Sequence, residues 1–220
     1  GWPTAWLSDG KRMNKHTRTR YNMKIVLASN SPRRRELLGA LEVDFEVRTL
    51  DGIKESYPQG LTMTGIPEHI SSQKAMAYAL ADDELLITAD TIVYLDGEVL
   101  GKPANAKEAC AMLRKLSGKT HQVITGVTLR TVGRSHTFSC VTEVTFAQLA
   151  EEQIKHYVDN YAPFDKAGAY GIQEWIGYVG VTKINGSYYN VMGLPVQRLN
   201  QELTAFMNNE TNSFLDSFIY

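Results

Sequence analysis

The sequence predicts a mixed α/β protein, of α+β character, in which helices flank a β-sheet. Apolar runs of strand length alternate with segments of helical periodicity through most of the 220 residues. Two long stretches rich in β-branched residues, 121–132 and 136–146, follow one another and predict paired strands. Strands of that length and order favour a mixed sheet over a purely parallel one.

The first half of the chain alternates strands with helices. Residues 24–28 (KIVLA) predict a short buried strand, and residues 32–41 predict a helix with Ser31 as its cap and Pro32 in its first turn. The same periodicities predict a strand at 45–49, a helix at 67–81 and a strand at 85–89. Within IVYLDGEVL, Asp96-Gly97 indicates a hairpin turn.

The second half contains further helices around the two long strands. Asn105 is a suitable cap for a helix at 105–116, and a second helix is expected at 150–161. Asn185-Gly186 predicts a hairpin-like region, and a helix follows Pro195. We expect a disordered basic extension at 1–22, one catalytic domain at 23–207, and a tail at 208–220.

The composition excludes several classes of protein. Hydrophobic residues make up 43% and charged residues 21%, as in ordinary soluble proteins, and no apolar run approaches the roughly 20 residues that span a bilayer. The two cysteines, Cys110 and Cys140, suggest no disulfide framework. We therefore expect a cytoplasmic protein with no membrane association. The scattered histidines give little support to a zinc site.

The charge is unevenly distributed. Five basic residues lie in the first 22, and without that segment the formal charge changes from -1 to -5. A body of that sign repels a nucleic-acid backbone, so we expect no nucleic-acid partner, and a phosphate ligand needs a local basic cleft. Nucleic-acid binding by the basic segment is the alternative.

The start of the predicted helix at 32–41 carries the strongest chemical signal. Arg33, Arg34 and Arg35 occupy its first turn, where the helix dipole disfavours cations. A bound phosphate would satisfy the free N–H groups, the dipole and the guanidinium groups together. On a helical wheel, Arg34 lies over the apolar face and Arg35 points to water, so Arg33 and Arg34 are the candidate ligands. A solvated basic patch is the alternative.

Candidate partners for these arginines lie further along the chain. Asp90 directly follows the apolar run LLITA, and the carboxyl end of a strand is where open α/β sheets place ligand groups. Its carboxylate suits a metal ligand or a general base, although an Asp at the start of a turn would look the same. Glu55 gains weight only beside a partner such as Asp90, and Lys74 and Lys102 are candidate phosphate contacts.

Six ordered motifs resemble the Maf family of nucleoside triphosphate pyrophosphatases. The resemblance runs from about residue 23 to 207, and six motifs in order are far more specific than any one of them. The segment DKAGAYGIQ at 165–173 is similar to the branch that acts on dTTP and UTP. The other motifs are SNSPRRRELL at 29–38, ADT at 89–91, GKP at 101–103, GKTHQVITGV at 118–127 and INGSYYNVMGLP at 184–195.

The resemblance implies a reaction and roles for individual residues. The family cleaves a nucleoside triphosphate into the monophosphate and pyrophosphate, with Asp90 matching the proposed proton acceptor. Positions tied to substrate choice match Arg33, Thr91 and Gln173. The triphosphate channel would be lined by Ser29, Arg34, Lys74 and Lys102, and the divalent metal, Mg²⁺ or Mn²⁺, would be held by Glu55 and Asp90.

The resemblance also implies a fold and leaves rival functions open. It implies a two-lobed architecture shared with inosine triphosphate pyrophosphatases, a nucleotide in a central cleft, and a homodimer. The Gln173 amide, with one donor and one acceptor group, can match the O4 and N3–H edge of thymine or uracil. The alternatives are a pyrophosphatase for 7-methyl-GTP or for many triphosphates, and a nucleotide-binding regulator of cell division with little turnover.

Overall fold

The computed structural model describes residues 22–216, with side chains described up to residue 208. The predicted basic extension therefore lies outside the described residues, apart from Asn22. The described residues contain seven helices, seven strands and one short 3-10 helix. This content confirms the mixed α/β class.

All seven strands belong to one mixed sheet. Its main order is β2-β1-β3-β5-β6-β7, and β4 pairs with β3. β1 is parallel to both β2 and β3, whereas the remaining pairs are antiparallel. The strands are β1 (Lys24–Leu27), β2 (Phe45–Val47), β3 (Glu84–Leu95), β4 (Glu98–Leu100), β5 (Thr120–Arg130), β6 (Ser135–Phe146) and β7 (Val181–Asn185).

Helices α1 and α3 begin where their capping residues predict. Ser31 Oγ accepts a hydrogen bond from the N–H of Arg34 at 3.4 Å, and Asn105 Oδ1 accepts one from Glu108 at 2.9 Å. The helices are α1 (Pro32–Gly39), α2 (Gly65–Met76), α3 (Ala106–Leu116), α4 (Glu151–Tyr161), α5 (Trp175–Gly180), α6 (Tyr188–Met192) and α7 (Val196–Asp216), with the 3-10 helix at Ala167–Ala169.

The three longest strands, β3, β5 and β6, each contribute to two separate hydrophobic cores. One core contains the first half of β3 with α1 and α7, including Leu85, Leu38 and Leu203. The other contains the second half of β3 with α3 and α4, including Val93 and Leu113. The molecule is therefore two-lobed, and the middle of β3 lies between the lobes.

Two predictions about element boundaries are wrong. Asp90 and Thr91 do not follow a strand but lie inside β3, which continues to Leu95 because the second lobe buries its other half. Asn185-Gly186 does not form a hairpin: β7 ends at Asn185 and the chain enters α6. The hairpin at Asp96-Gly97 is confirmed by the pairing of Leu95 with Glu98.

Two predicted elements differ in extent. α2 begins at Gly65, so Pro67 lies in its first turn, and it ends at Met76 rather than at 81. α7 continues to Asp216, across the position 207 at which we placed the end of the domain. Within residues 22–216, no helix combines the length and apolar character that crossing a membrane requires.

Replacing Gly126 with alanine should destabilise the protein by about 1–3 kcal/mol, the usual cost of overpacking. A Cβ atom at Gly126 in β5 would lie 2.4 Å from the backbone of Pro67, so α2 would have to move. Chemical denaturation measures the loss. Gly133→Ala is the matched control, because a Cβ there meets nothing within 4 Å. Equal stabilities for the two variants would contradict the prediction.

Candidate functional site

A cleft between the two lobes collects the residues that the sequence singled out. It consists of two adjoining cavities. The inner cavity reaches Gln173, and the outer cavity reaches Ser29 and Glu55. Residues that line both cavities are mostly cationic: Ser31, Arg33, Arg34, Lys74, Lys102 and Asp165. The junction of the cavities is therefore a local basic site on an otherwise acidic body.

The start of α1 places its three arginines differently. The Arg34 side chain reaches the end of α6 and the middle of β3: its Nε donates to the carbonyl oxygen of Gly193 at 2.8 Å and its Nη2 to Thr91 Oγ1 at 3.0 Å. Arg33 Nη1 lies 3.5 Å from Asp165 Oδ2. Arg35 is exposed and lines neither cavity. Helical geometry alone therefore separated the cleft-lining arginines from the solvated one.

Asp90 is the buried carboxylate of the cleft. Its residue is only 9% exposed, and its Oδ2 has no hydrogen-bond partner among the described residues. Burial raises the pKa of Asp90, and the nearby positive charges of Lys74 and Arg34 oppose that rise. A carboxylate with a raised pKa and an unpartnered oxygen can accept a proton or a metal ion.

Lys74 connects the two candidate acidic residues. Its ammonium nitrogen lies 3.0 Å from Glu55 Oε1 and 3.4 Å from Asp90 Oδ1. Glu55 comes from the loop before α2, and Asp90 from β3, so the pair is brought together only by the tertiary fold. The two carboxylates thus already share one cation.

Part of the lining of the inner cavity is apolar and includes one amide, and we call this part the chamber. Val93, Val123 and Tyr170 line it. Gln173 lies among them, and its Oε1 is buried without a hydrogen-bond partner in the described part of the chain. The N–H of Gly171 donates to the hydroxyl of Tyr157 at 2.9 Å, which fixes the segment that carries Gln173. An apolar chamber with an unpaired amide suits a planar ring with polar edges.

The remaining predicted residues also lie at the cleft. Ser29 Oγ accepts from the N–H of Ser31 at 3.2 Å in the outer cavity, and Lys102 lines both cavities. Sequence reasoning gave no role to Asp165 and Lys166, although both stand in the DKAGAYGIQ motif. Lys166 Nζ lies 3.0 Å from Asp165 and 3.1 Å from Glu174. The adjacent opposite charges of Asp165 and Lys166, the first two residues of that motif, are the sequence signal that could have identified them.

A buried histidine contacts Tyr170 of the chamber and sets a pH dependence. His121 Nε2 lies 2.6 Å from the hydroxyl of Tyr170, and burial lowers the pKa of His121 to about 4. In the unfolded chain the imidazole of His121 takes up a proton near pH 6.5, whereas in the folded protein it stays neutral until about pH 4. Stability should therefore fall as pH decreases through this window, by roughly 2 kcal/mol between pH 7.5 and 5.

Urea unfolding at several pH values tests this dependence. The His121→Phe variant keeps an aromatic ring but cannot titrate, so its stability should change less between pH 7.5 and 5 than that of the wild type. The raised pKa of Asp90 makes stability increase as pH decreases, but it does so equally in both proteins and cancels in the comparison. His69→Gln is the control, because His69 is exposed. Parallel curves for wild type and His121→Phe would refute the assignment.

Comparison with known proteins identifies the family. Residues 24–206 match the family described as Maf-like protein. The chain belongs to the Maf family. The motifs that resembled this family are those that line the cleft, so the resemblance drawn from the sequence is confirmed. The matched region contains every element from β1 to α6 and about half of α7.

Curated relatives in the Maf family share a printed name. A protein of Phocaeicola vulgatus named dTTP/UTP pyrophosphatase is 63% identical over 182 residues, which cover 82% of this chain and 94% of the relative. A protein of the same name from Parabacteroides distasonis is 60% identical, and the alignment covers 83% of this chain and 96% of the relative. Another from Porphyromonas gingivalis is 51% identical, and the alignment covers 83% of this chain and 94% of the relative.

Two solved structures are distant matches to this Maf protein. A HAM1 protein from Coxiella burnetii aligns with a TM-score of 0.46 and 17% identity, over 83% of this chain and 99% of that one. A nucleoside-triphosphatase, dITP/XTP pyrophosphatase, from Mycobacterium abscessus aligns with a TM-score of 0.37 and 16% identity, over 58% and 76%. Scores this low add nothing to the fold described above.

Proposed function

We propose that this protein hydrolyses dTTP and UTP to the nucleoside monophosphate and pyrophosphate. The observation that carries the proposal is the inner cavity, where Asp90, with its unpartnered oxygen, lies beside a cluster of cations. Relatives named dTTP/UTP pyrophosphatase, at up to 63% identity among those compared, support the same reaction. The substrates in the cell would include modified pyrimidine nucleotides that must be kept out of nucleic acids.

The cations at the junction suit the triphosphate. Arg33, Arg34, Lys74 and Lys102 line both cavities, so a polyphosphate that spans the junction would meet all four. Fixed positive groups stabilise the charge that develops as the bond between the α and β phosphates breaks. Ser29 would contact the phosphates from the outer cavity. Pyrophosphate would then leave with its charge already compensated.

Asp90 is the proposed proton acceptor. Its buried carboxylate would orient the attacking water and take its proton, and the raised pKa brings it closer to the operating pH. Lys74, which contacts Asp90 Oδ1, would hold the carboxylate in the orientation that leaves Oδ2 without a hydrogen-bond partner among the described residues. Attack of this water at the α-phosphorus yields the nucleoside monophosphate.

The donor set fits a divalent metal such as Mg²⁺ or Mn²⁺. Glu55 and Asp90 supply carboxylate oxygens near one position, and Asp90 Oδ2 lacks a partner among the described residues. No cluster of three or more acidic, His or Cys side chains forms within residues 22–208. Mg²⁺ commonly takes one or two carboxylates and completes its shell with water and phosphate oxygens. When bound, the metal would neutralise phosphate charge and acidify water.

Gln173 is the proposed base-recognition residue. Its unpaired amide oxygen in the apolar chamber could accept the N3–H of thymine or uracil, while its NH₂ group donates to O4. A guanine edge presents its donors and acceptors in a different order. This assignment favours pyrimidine triphosphates over 7-methyl-GTP. Thr91 and Arg33 remain proposed contributors to substrate choice.

We also propose the extent of the domain, the location of the protein in the cell and its oligomeric state. We place the catalytic domain at 23–207, in a cytoplasmic protein that forms a homodimer. Size-exclusion chromatography with light scattering tests the dimer. Nucleic-acid binding through the basic segment 1–22 would instead show as salt-dependent binding that is lost when this segment is removed.

A nucleotide panel tests the proposed reaction directly. The purified protein is incubated with dTTP, UTP, 7-methyl-GTP and GTP, with and without Mg²⁺, and pyrophosphate and orthophosphate are measured separately. We expect pyrophosphate and monophosphate from dTTP and UTP, dependent on the metal. Orthophosphate as the first product would exclude the reaction, and faster turnover of 7-methyl-GTP than of dTTP would exclude the pyrimidine preference.

A further inference from the structure

Thr125 is a fully buried residue of β5 that lines neither cavity of the cleft. It stands directly opposite Thr91 in the antiparallel pairing of β3 with β5. Its Oγ1 lies 2.8 Å from Thr91 Oγ1 and 3.2 Å from the backbone oxygen of Asn190. The proposed reaction gives it no role, although it belongs to the GKTHQVITGV motif.

These contacts fix the direction of every hydrogen bond in the group. A carbonyl oxygen only accepts, so the single hydroxyl hydrogen of Thr125 goes to Asn190. Thr91 must then donate its own hydrogen to Thr125 Oγ1. The lone pairs of Thr91 are left to accept the N–H of Arg34 Nη2, at 3.0 Å. The chain of bonds therefore runs in one direction, from Arg34 to Thr91, to Thr125 and to Asn190.

The far end of this chain is anchored in the sheet. Asn190 is fully buried, and its Nδ2 contacts the backbone oxygens of Val123 and Cys140 and Thr142 Oγ1, at 3.0–3.2 Å. The second acceptor for Arg34 is the carbonyl oxygen of Gly193, the residue that caps the C-terminal end of the same short helix, α6. Both hydrogen bonds that hold Arg34 thus depend on how α6 is fixed to β5 and β6.

We propose that Thr125 is a positioning residue that holds the Arg34 guanidinium at the phosphate site through the hydroxyl of Thr91. This inference rests on the proposed function for its enzymatic readout. It also assigns Thr91 a definite task. Because its hydrogen is committed to Thr125, Thr91 has none to offer a phosphate oxygen, so it serves the triphosphate by orienting Arg34.

Two substitutions at one position separate the hydroxyl from packing. Thr125→Val keeps the shape and removes the acceptor, and we expect kcat/KM for dTTP to fall about 10- to 100-fold, the scale of a small misplacement of a catalytic group. Thr125→Ser keeps the hydroxyl and should stay within about threefold of the wild type. Thr125→Ala replaces the valine variant if that protein does not fold, as judged by thermal melting.

A double-mutant cycle with Thr91→Val distinguishes positioning from a general structural role. If Thr125 acts through Thr91, Thr125→Val costs little once Thr91 is valine, whereas independent effects would add. The loss should appear in kcat as well as in KM. Equal costs in both backgrounds, or a serine variant as impaired as the valine variant, would overturn the proposal.

Binding of inorganic tripolyphosphate, measured by calorimetry without metal, repeats the cycle without catalysis. We expect Thr125→Val to weaken this binding about tenfold in the wild-type background and to have little effect beside Thr91→Val. If the wild type failed to cleave dTTP, the proposed function would fall, while these affinities would still decide the role of Thr125. A wild type that does not bind tripolyphosphate would overturn the role as well.

Discussion

Asp90→Asn should lower kcat for dTTP by about 100- to 10,000-fold, the range that a general base contributes. Asparagine has nearly the same shape, but its amide cannot accept the proton of the attacking water and is a poorer metal ligand. The contact with Lys74 loses its charge, but Lys74 keeps its ion pair with Glu55 at 3.0 Å, so we expect the melting temperature to stay within a few degrees. Initial rates of pyrophosphate release at saturating dTTP measure the effect.

Asp83→Asn is the matched control for this variant. Asp83 is an exposed aspartate that pairs with Lys24 at 3.0 Å and lines neither cavity, so turnover of this variant should equal that of the wild type. An Asp90→Asn variant that kept more than a tenth of the wild-type kcat would rule out Asp90 as the base. If the variant lost turnover but still bound nucleotide and kept its effect in cells, the protein would act as a regulator rather than as an enzyme.

Arg34→Ala should lower kcat/KM for dTTP roughly 100- to 1000-fold, as for the loss of one preorganised donor to developing charge. Arg34 is the guanidinium held by two hydrogen bonds at the junction of the cavities. Arg34→Lys should recover only part of the loss, because an ammonium group cannot reproduce the planar fork that contacts Gly193 and Thr91 together. Steady-state kinetics of both variants provide the measurement.

Arg35→Ala is the control that the chain itself offers. Arg35 is the next residue of the same helix turn and carries the same charge, but it is exposed. We expect its kcat/KM to stay within twofold of the wild type. Equal losses at Arg34 and Arg35 would mean that only the overall charge of the helix start matters, and would contradict a specific phosphate contact at Arg34.

The sequence predicted well what depends on local chemistry. The cap at Ser31, the proline that follows and the spacing of the leucines determine the start and the orientation of α1, so the different placement of Arg34 and Arg35 followed from one turn of helix. The class of fold followed in the same way from the periodicity of individual segments.

What depends on distant pairing was not predictable. The apolar run before Asp90 looked like a complete strand, because the polar pair Asp90 and Thr91 separates it from the hairpin segment at 92–95, and only burial in the second core joins the two into one strand. The bond between Thr91 and Thr125 arises only from the register of β3 on β5. Likewise, the hydroxyl of Tyr157 meets Gly171 only after α4 packs against the chamber.

The passage of β3, β5 and β6 through both lobes has a consequence for dynamics. A hinge between the lobes would have to bend three hydrogen-bonded strands together near Asp90, so the paired sheet resists that motion. The floor of the cleft is therefore its most rigid part. Any closure around a nucleotide must come from the walls, where Arg33 of α1 faces Asp165 in the loop after α4.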